Sequence, residues 1–236
     1  MQYWNQNNFT GLKSIGKKYS AIPVYKLFGE YCLKKEEGLK KIAVATLKDF
    51  VSESKIKSQK EQRIIAEELS SLGFYNRDVH QLLAFPLVKY LKEVLNQWTI
   101  DDPANLIPYK WLGYISGDIS CYKKALKLDP KDDICISRIA QSYINEIDYQ
   151  THHLSESKLL GDFKNAKLIL SKSKSLIDRL SSDEMKSTIL LEYEYYQKLL
   201  ESWDKYSKIE TKQSFPDWCA SRGKEYNFWS IIYYEK

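Results

Sequence analysis

Apolar residues recur at helical spacing through most of the chain. Between residues 182 and 209, Ile189, Tyr193, Tyr196, Leu200 and Trp203 follow alternating steps of four and three, which puts them on one stripe of an amphipathic helix. Tyr195 falls off that stripe and is expected to stay partly wet. A second long helix is predicted from Asp133, with Ile136, Ile139 or Ala140, Tyr143, Ile147 and Leu154 as its apolar face. Start and stop signals supply further elements. Pro23 suits the first position of a helix running to about Glu36, and a helix from Leu39 to Ser52 follows. Ser58 with Glu61 forms a capping box, with Gly73 as a stop. Pro86 opens another helix, and Asp102-Pro103 and Pro108 mark the linker after it. Ser181 with Glu184 reads as a second capping box, and Ser214, Pro216 and Asp217 begin a short carboxy-terminal helix. The final YNFWSIIYYEK has the composition of a strand but no evident partner, so it is expected as an extended or short helical tail packed on the body. The pattern predicts an all-α chain of about nine or ten helices in a single compact body over residues 1–236. Within it, 1–100 forms an amino-terminal helical part, 104–180 a helical pair, and 181–236 the last helices and an aromatic tail.

Composition sharpens this picture. Gly 9 and Pro 6 in 236 residues are well below the usual shares of about 7% and 5%, which disfavours all-β architectures and Gly-rich nucleotide folds. At 43% hydrophobic and 28% charged, the chain has the apolar content of an ordered globule and not of a disordered segment. Charge is uneven: residues 1–60 hold twelve Lys against five acidic residues, a net of +7 inside an overall +5. Only five of the 36 basic residues are Arg, so bidentate base reading has little to work with and a nucleic-acid partner is disfavoured. Cys32, Cys121, Cys135 and Cys219 show no CxxC spacing, which removes zinc ribbons and thioredoxin motifs. No apolar run is long enough to span a membrane, and the amino terminus lacks a signal pattern, so a cytoplasmic chain with reduced thiols is expected.

Residues 117–178 carry a recognisable pattern. Tyr122, Ala125, Leu126, Leu128, Asp129 and Pro130 stand in YKKALKLDP, followed in register by Ile139, Ala140 and Tyr143, and then by Gly161-Asp162-Phe163, Ala166, Leu170, Ser173 and Leu176. This resembles a degenerate pair of tetratricopeptide repeats, in which a small residue packs between helices and Pro stops the second one. The resemblance implies an irregular TPR-like array of helical hairpins, with Ala125 and Ala140 buried where helices come close. The segment EIDYQTHHLSESKLLGDF also resembles bacterial proteins of unassigned function.

Candidate chemistry concentrates on the polar face of the helix from Asp133. Arg138, Asn145, Asp148, Tyr149, His152 and Glu156 lie there, with Asp148, His152 and Glu156 four residues apart in turn. Asp148 is placed to orient His152 as a carboxylate orients a general base. No nucleophile motif accompanies the pair, and one helix supplies too few ligands for a metal, so neither a catalytic residue nor a metal or other cofactor is assigned. The face reads first as a hydrogen-bonded network tying the helix to its neighbours, and otherwise as a groove for a partner. No GxxxxGK[ST] or GxGxxG loop occurs; Gly11 and Gly16 flank LKSI at the wrong spacing for either. Six Trp and eighteen Tyr exceed what an aliphatic core requires, and Tyr3, Trp4, Tyr109, Trp111, Trp218, Trp229, Tyr233 and Tyr234 fall near loops or termini, where an interface is expected.

Together these features predict a non-enzymatic protein-binding module with its groove along the Asp133–Leu154 helix, lined by Arg138, Asn145, Asp148, Tyr149, His152 and Glu156. In size, Lys and Tyr content and lack of enzyme motifs it resembles a bacterial immunity or antitoxin-type inhibitor. The alternatives are a small enzyme using Asp148 and His152, and a nucleic-acid binder using residues 1–60. A protein partner is expected, with no membrane association.

Overall fold

The computed structural model describes residues 6–228, and every described element is helical. Tyr3, Trp4, Trp229, Tyr233 and Tyr234, assigned above to an aromatic interface, lie outside the described residues. Eleven α-helices are present among those described. The helix beyond the expected ten is α1 (Gln6–Ser20), whose buried stripe of Asn8, Leu12, Ile15, Gly16 and Tyr19 is hidden in the sequence by an Asn and a Gly at apolar positions. The chain forms two compact units, which meet between Leu128 and Asp129 in the sequence.

The first unit contains α1, α2 (Lys26–Glu36), α3 (Lys40–Lys55), α4 (Gln59–Tyr75), α5 (Phe85–Asp101), α6 (Leu106–Ser116) and α7 (Ile119–Leu128). Leu12, Tyr19, Phe28, Tyr31, Leu47 and Phe50 are all but sealed from solvent, with Phe28 edge-on to Tyr19 at 5.6 Å between ring centroids. Helices α1 and α2 meet backbone to backbone: a Cβ on Gly29 would lie 2.2 Å from the Ser20 amide nitrogen, and one on Gly16 would lie 3.1 Å from the Gly29 carbonyl oxygen. Gly16 therefore serves packing, a role its position beside LKSI did not suggest. The Ser58–Glu61 capping box forms as expected. Gly73 does not stop its helix; it sits buried inside α4, where its small size admits Leu83. Pro108 falls within the first turn of α6, where the missing N–H costs no helical hydrogen bond. In α6 and α7, Gly113 lies against the Tyr122 ring and Ala125 is fully buried.

The second unit contains α8 (Asp133–Thr151), α9 (Phe163–Ile177), α10 (Asp183–Tyr206) and α11 (Phe215–Ala220). Helix α8 packs on α9 through small groups: the Ser173 hydroxyl donates to the Ala140 carbonyl at 3.1 Å, and Ala140 is fully buried. Helix α10 lies against both. Its start is fixed by Asp133 at the start of α8, whose carboxylate accepts from the Ser181 amide (3.0 Å), the Ser181 hydroxyl (2.5 Å) and the Ser182 amide (2.8 Å). The expected Ser181–Glu184 box is therefore corrected. The charged carboxylate outcompetes the helix for the Ser181 hydroxyl, and Ser182 becomes the N-cap, accepting from the Met185 amide. The α10 stripe falls where its period puts it. Ile189 and Leu200 are buried, while Tyr193, Tyr196 and Trp203 are half-buried, as is Tyr195. At the far end of α10, Trp203, Tyr206, Phe215 and Trp218 form an aromatic cluster joined by Phe228. Residues 224–228 form neither helix nor strand.

Candidate functional site

The polar face of α8 is shorter than its sequence spacing implied. The helix ends at Thr151 with His152 as its cap, and Glu156 lies in a separate 3-10 turn, Leu154–Glu156. Burial of Leu154 and a hydrogen bond from the Leu160 amide to the Gln150 carbonyl (2.9 Å) turn the chain there, so Asp148, His152 and Glu156 do not share one helical face. Asp148 does not orient His152. Its carboxylate accepts from the Tyr196 hydroxyl at 2.7 Å, while His152 Nδ1 donates to the Tyr149 carbonyl one turn back. Burial, and then the hydrogen bond to Asp148, push the Tyr196 phenol well above its ordinary pKa, so it stays protonated as the donor. Glu156 instead accepts from His153 Nδ1 at 2.9 Å. Asn145 is exposed and accepts from Gln141, which also donates to Glu192 of α10 at 2.6 Å. Arg138 is half-buried, and Tyr149 projects with 67% of its surface exposed.

Beside Asp148 and His152 lies a crevice of about 30 Å³, lined also by Tyr195, Leu199 and Phe228. Among the described residues no group of three or more His, Cys, Asp or Glu is placed to hold a metal. The four cysteines are free and buried, and burial pushes the Cys32, Cys121 and Cys219 thiols up, away from the reactive thiolate. Trp111 and Trp218, expected near an exposed interface, are buried; each fills a gap among neighbouring aromatic rings, Phe74 for the first and Phe215 for the second.

A larger opening lies elsewhere in the second unit. Residues of α9 and α10 line a groove of about 570 Å³. Phe163, Leu170, Tyr193 and Leu200 form its floor; Lys167 and Lys174 stand on the α9 wall, Glu201 and Asp204 on the α10 wall. Ser171 and Ser175 keep the α9 wall low. Burial raises the Tyr193 phenol, so its hydroxyl is neutral at the groove edge. The stripe predicted for α10 holds as core, with Leu200 buried beside Leu170 and Tyr193 packed against them; it does not show that Tyr193 and Leu200 also line a groove. The signal present in the sequence is that Phe163 and Leu170, like Tyr193 and Leu200, stand seven residues apart.

The chain matches no protein-family model, no curated protein and no solved structure. No described helix is long and apolar enough to cross a membrane.

Proposed function

We propose that this chain is a non-enzymatic protein-binding module, built of TPR-like helical hairpins, that takes its partner in the α9–α10 groove. The observation that carries this reading is the size and lining of the groove between α9 and α10. The groove, at about 570 Å³, has an apolar floor and charged walls, the make-up of a protein interface with a hydrophobic centre and polar rim. The crevice beside Asp148 and His152 is far smaller, at about 30 Å³. The polar residues of α8 then form a supporting network, with Asp148 fixing Tyr196 of the α10 stripe. An inhibitor of the immunity or antitoxin type is the narrower form of the proposal, drawn from size and composition.

The test is affinity capture from the native host with three forms of the chain. Ser171→Arg/Ser175→Arg fills the groove from its α9 wall at two exposed positions, and Arg is at least as good a helix former as Ser. Asn145→Ala/Tyr149→Ala strips the exposed part of the α8 face. The expected result is a protein retained by the wild type and the α8 variant and lost by the groove variant. Retention by the groove variant, with loss in the α8 variant, would move the site to α8.

A further inference from the structure

The groove has a period. Phe163 and Leu170, Lys167 and Lys174, Tyr193 and Leu200, and Gln197 and Asp204 are pairs seven residues apart along their helices. Seven residues are two helical turns, about 10.5 Å. Along each of the two helices the lining therefore repeats at about 10.5 Å. A strand presents same-face side chains every 6–7 Å or so and falls out of step with that repeat. An extended chain would also lay its N–H and C=O groups on Phe163, Leu170 and Leu200, with no strand edge to pair them. A helix pairs its own backbone and presents heptad-spaced side chains at the same two-turn interval. From residue 163 to residue 178 the α9 wall is about 22 Å long, which suits a helix of about fifteen residues.

The walls differ in charge. On α9, Lys167 lies over the Phe163 ring and Lys174 pairs with Asp178 within the same helix. On α10, Glu201 accepts from Gln197, and Asp204 pairs with Lys208 at 2.8 Å. These partners are all local and solvent-exposed, the kind of pairing that adds little stability and exchanges readily for charges on an incoming surface. Asp178, at the end of the α9 wall, is the one acid on the otherwise basic side.

From this geometry we infer that the groove seats one amphipathic helix of a partner protein. Its large apolar side chains recur in a heptad on the floor, its acidic flank lies along Lys167 and Lys174, and its basic flank along Glu201 and Asp204. The inference rests on the groove reading above and adds the chemistry of the occupant to it.

Three labelled peptides about three heptads long, with Leu at the a and d positions, test it by fluorescence anisotropy at a concentration where each is monomeric. One carries Glu on one flank and Lys on the other, one Glu on both, one Lys on both. The mixed peptide is used because a helix turned end for end exchanges its flanks, so its direction need not be known. It is expected to bind at least about tenfold more tightly than either of the others, with binding lost in Ser171→Arg/Ser175→Arg. In Glu201→Lys/Asp204→Lys both walls become basic, and the all-Glu peptide is expected to become the tightest of the three. Circular dichroism melts confirm that each variant is folded. Equal binding of all three peptides overturns the charge assignment while leaving the groove reading intact. No binding by any peptide, with a host protein still captured through the groove, overturns the helical occupant. Tighter peptide binding after removal of residues 229–236 gives the groove to this chain's own end and overturns a separate partner. Concentration-dependent self-association that Ser171→Arg/Ser175→Arg abolishes gives it to a second copy, with the same consequence. Failure of the groove reading itself shows separately, as host capture that Ser171→Arg/Ser175→Arg leaves unchanged.

Discussion

On one flank of α10, Tyr195, Tyr196 and Leu199 close against the end of α8 and against Asn227 and Phe228, leaving about 30 Å³. On its other flank, Tyr193, Gln197 and Leu200 face α9 across a groove of about 570 Å³. Both flanks begin with a half-buried tyrosine. The closed flank gives its tyrosines definite partners: Asp148 takes the Tyr196 hydroxyl, and the Asn227 carbonyl takes that of Tyr195. Large rings from α11 and the segment after it then cover the end of that side. The open flank meets Ser171 and Ser175, which are too small to fill the space, and the charged side chains of Lys167 and Lys174. The same helix thus contributes to a packed core on one side and to an unfilled surface on the other, and the difference lies in what the neighbouring elements bring.

That contrast makes graded predictions, read as urea or thermal midpoints. The largest effect is expected for Phe215→Ala on the closed side. Phe215 is fully buried and touches Trp203, Tyr206, Trp218 and Phe228, so its loss should cost about 3–5 kcal/mol. A cost below about 1 kcal/mol would mean that side is no better packed than the groove.

Asp133→Ala should cost about 2 kcal/mol, because three donors at the start of α10 lose a charged acceptor. Burial opposes ionisation of Asp133, but the Ser181 hydroxyl and the Ser181 and Ser182 amides outweigh it and hold its pKa below the ordinary value. A depressed carboxylate stabilises the fold above its unfolded pKa of about 3.9 and loses that contribution as pH falls through the folded value. The gap between wild type and Asp133→Ala should therefore be full near neutral pH and shrink below about pH 4; a gap that is constant with pH would remove this link between α8 and α10.

Asp148→Ala is expected to cost about 1–2 kcal/mol by leaving the Tyr196 hydroxyl without its acceptor, and Tyr196→Phe should recover part of that loss in the double variant. Simple additivity would show that the two residues act independently. The smallest effects belong to exposed positions of the open flank: Ser171→Arg, Ser175→Arg and Glu201→Lys should each move stability by no more than about 0.5 kcal/mol. A larger loss would mean that the groove walls are part of the core.

Much of this was legible along the chain. The four-three stripe of α10, the Ser58–Glu61 box, the Ser214 cap and the burial of Ala125 and Ala140 follow from local spacing and from residue size where helices meet. The misreadings share one cause. Ser181 gave up a capping role because an acid 48 residues away took its hydroxyl. Gly73 stayed within a helix because Leu83 needed the space. The Asp148–His152–Glu156 spacing failed because α8 stopped at Thr151, before that register was complete.

By itself the sequence determined that the chain is helical, roughly where most of the helices run, and which face of each turns inward. Those properties depend on the period of 3.6 residues and on the capping chemistry of the first and last turns, and both are contained within a few consecutive residues. Only the tertiary structure decided which inward-facing residues are covered. Tyr193 and Tyr196 stand three positions apart on one stripe, yet one edges an open groove and the other is fastened to Asp148. Their difference is set by the volume and polarity of side chains on α8 and α9, which approach α10 only when the helices pack. No pattern within α10 records how much space those neighbours leave.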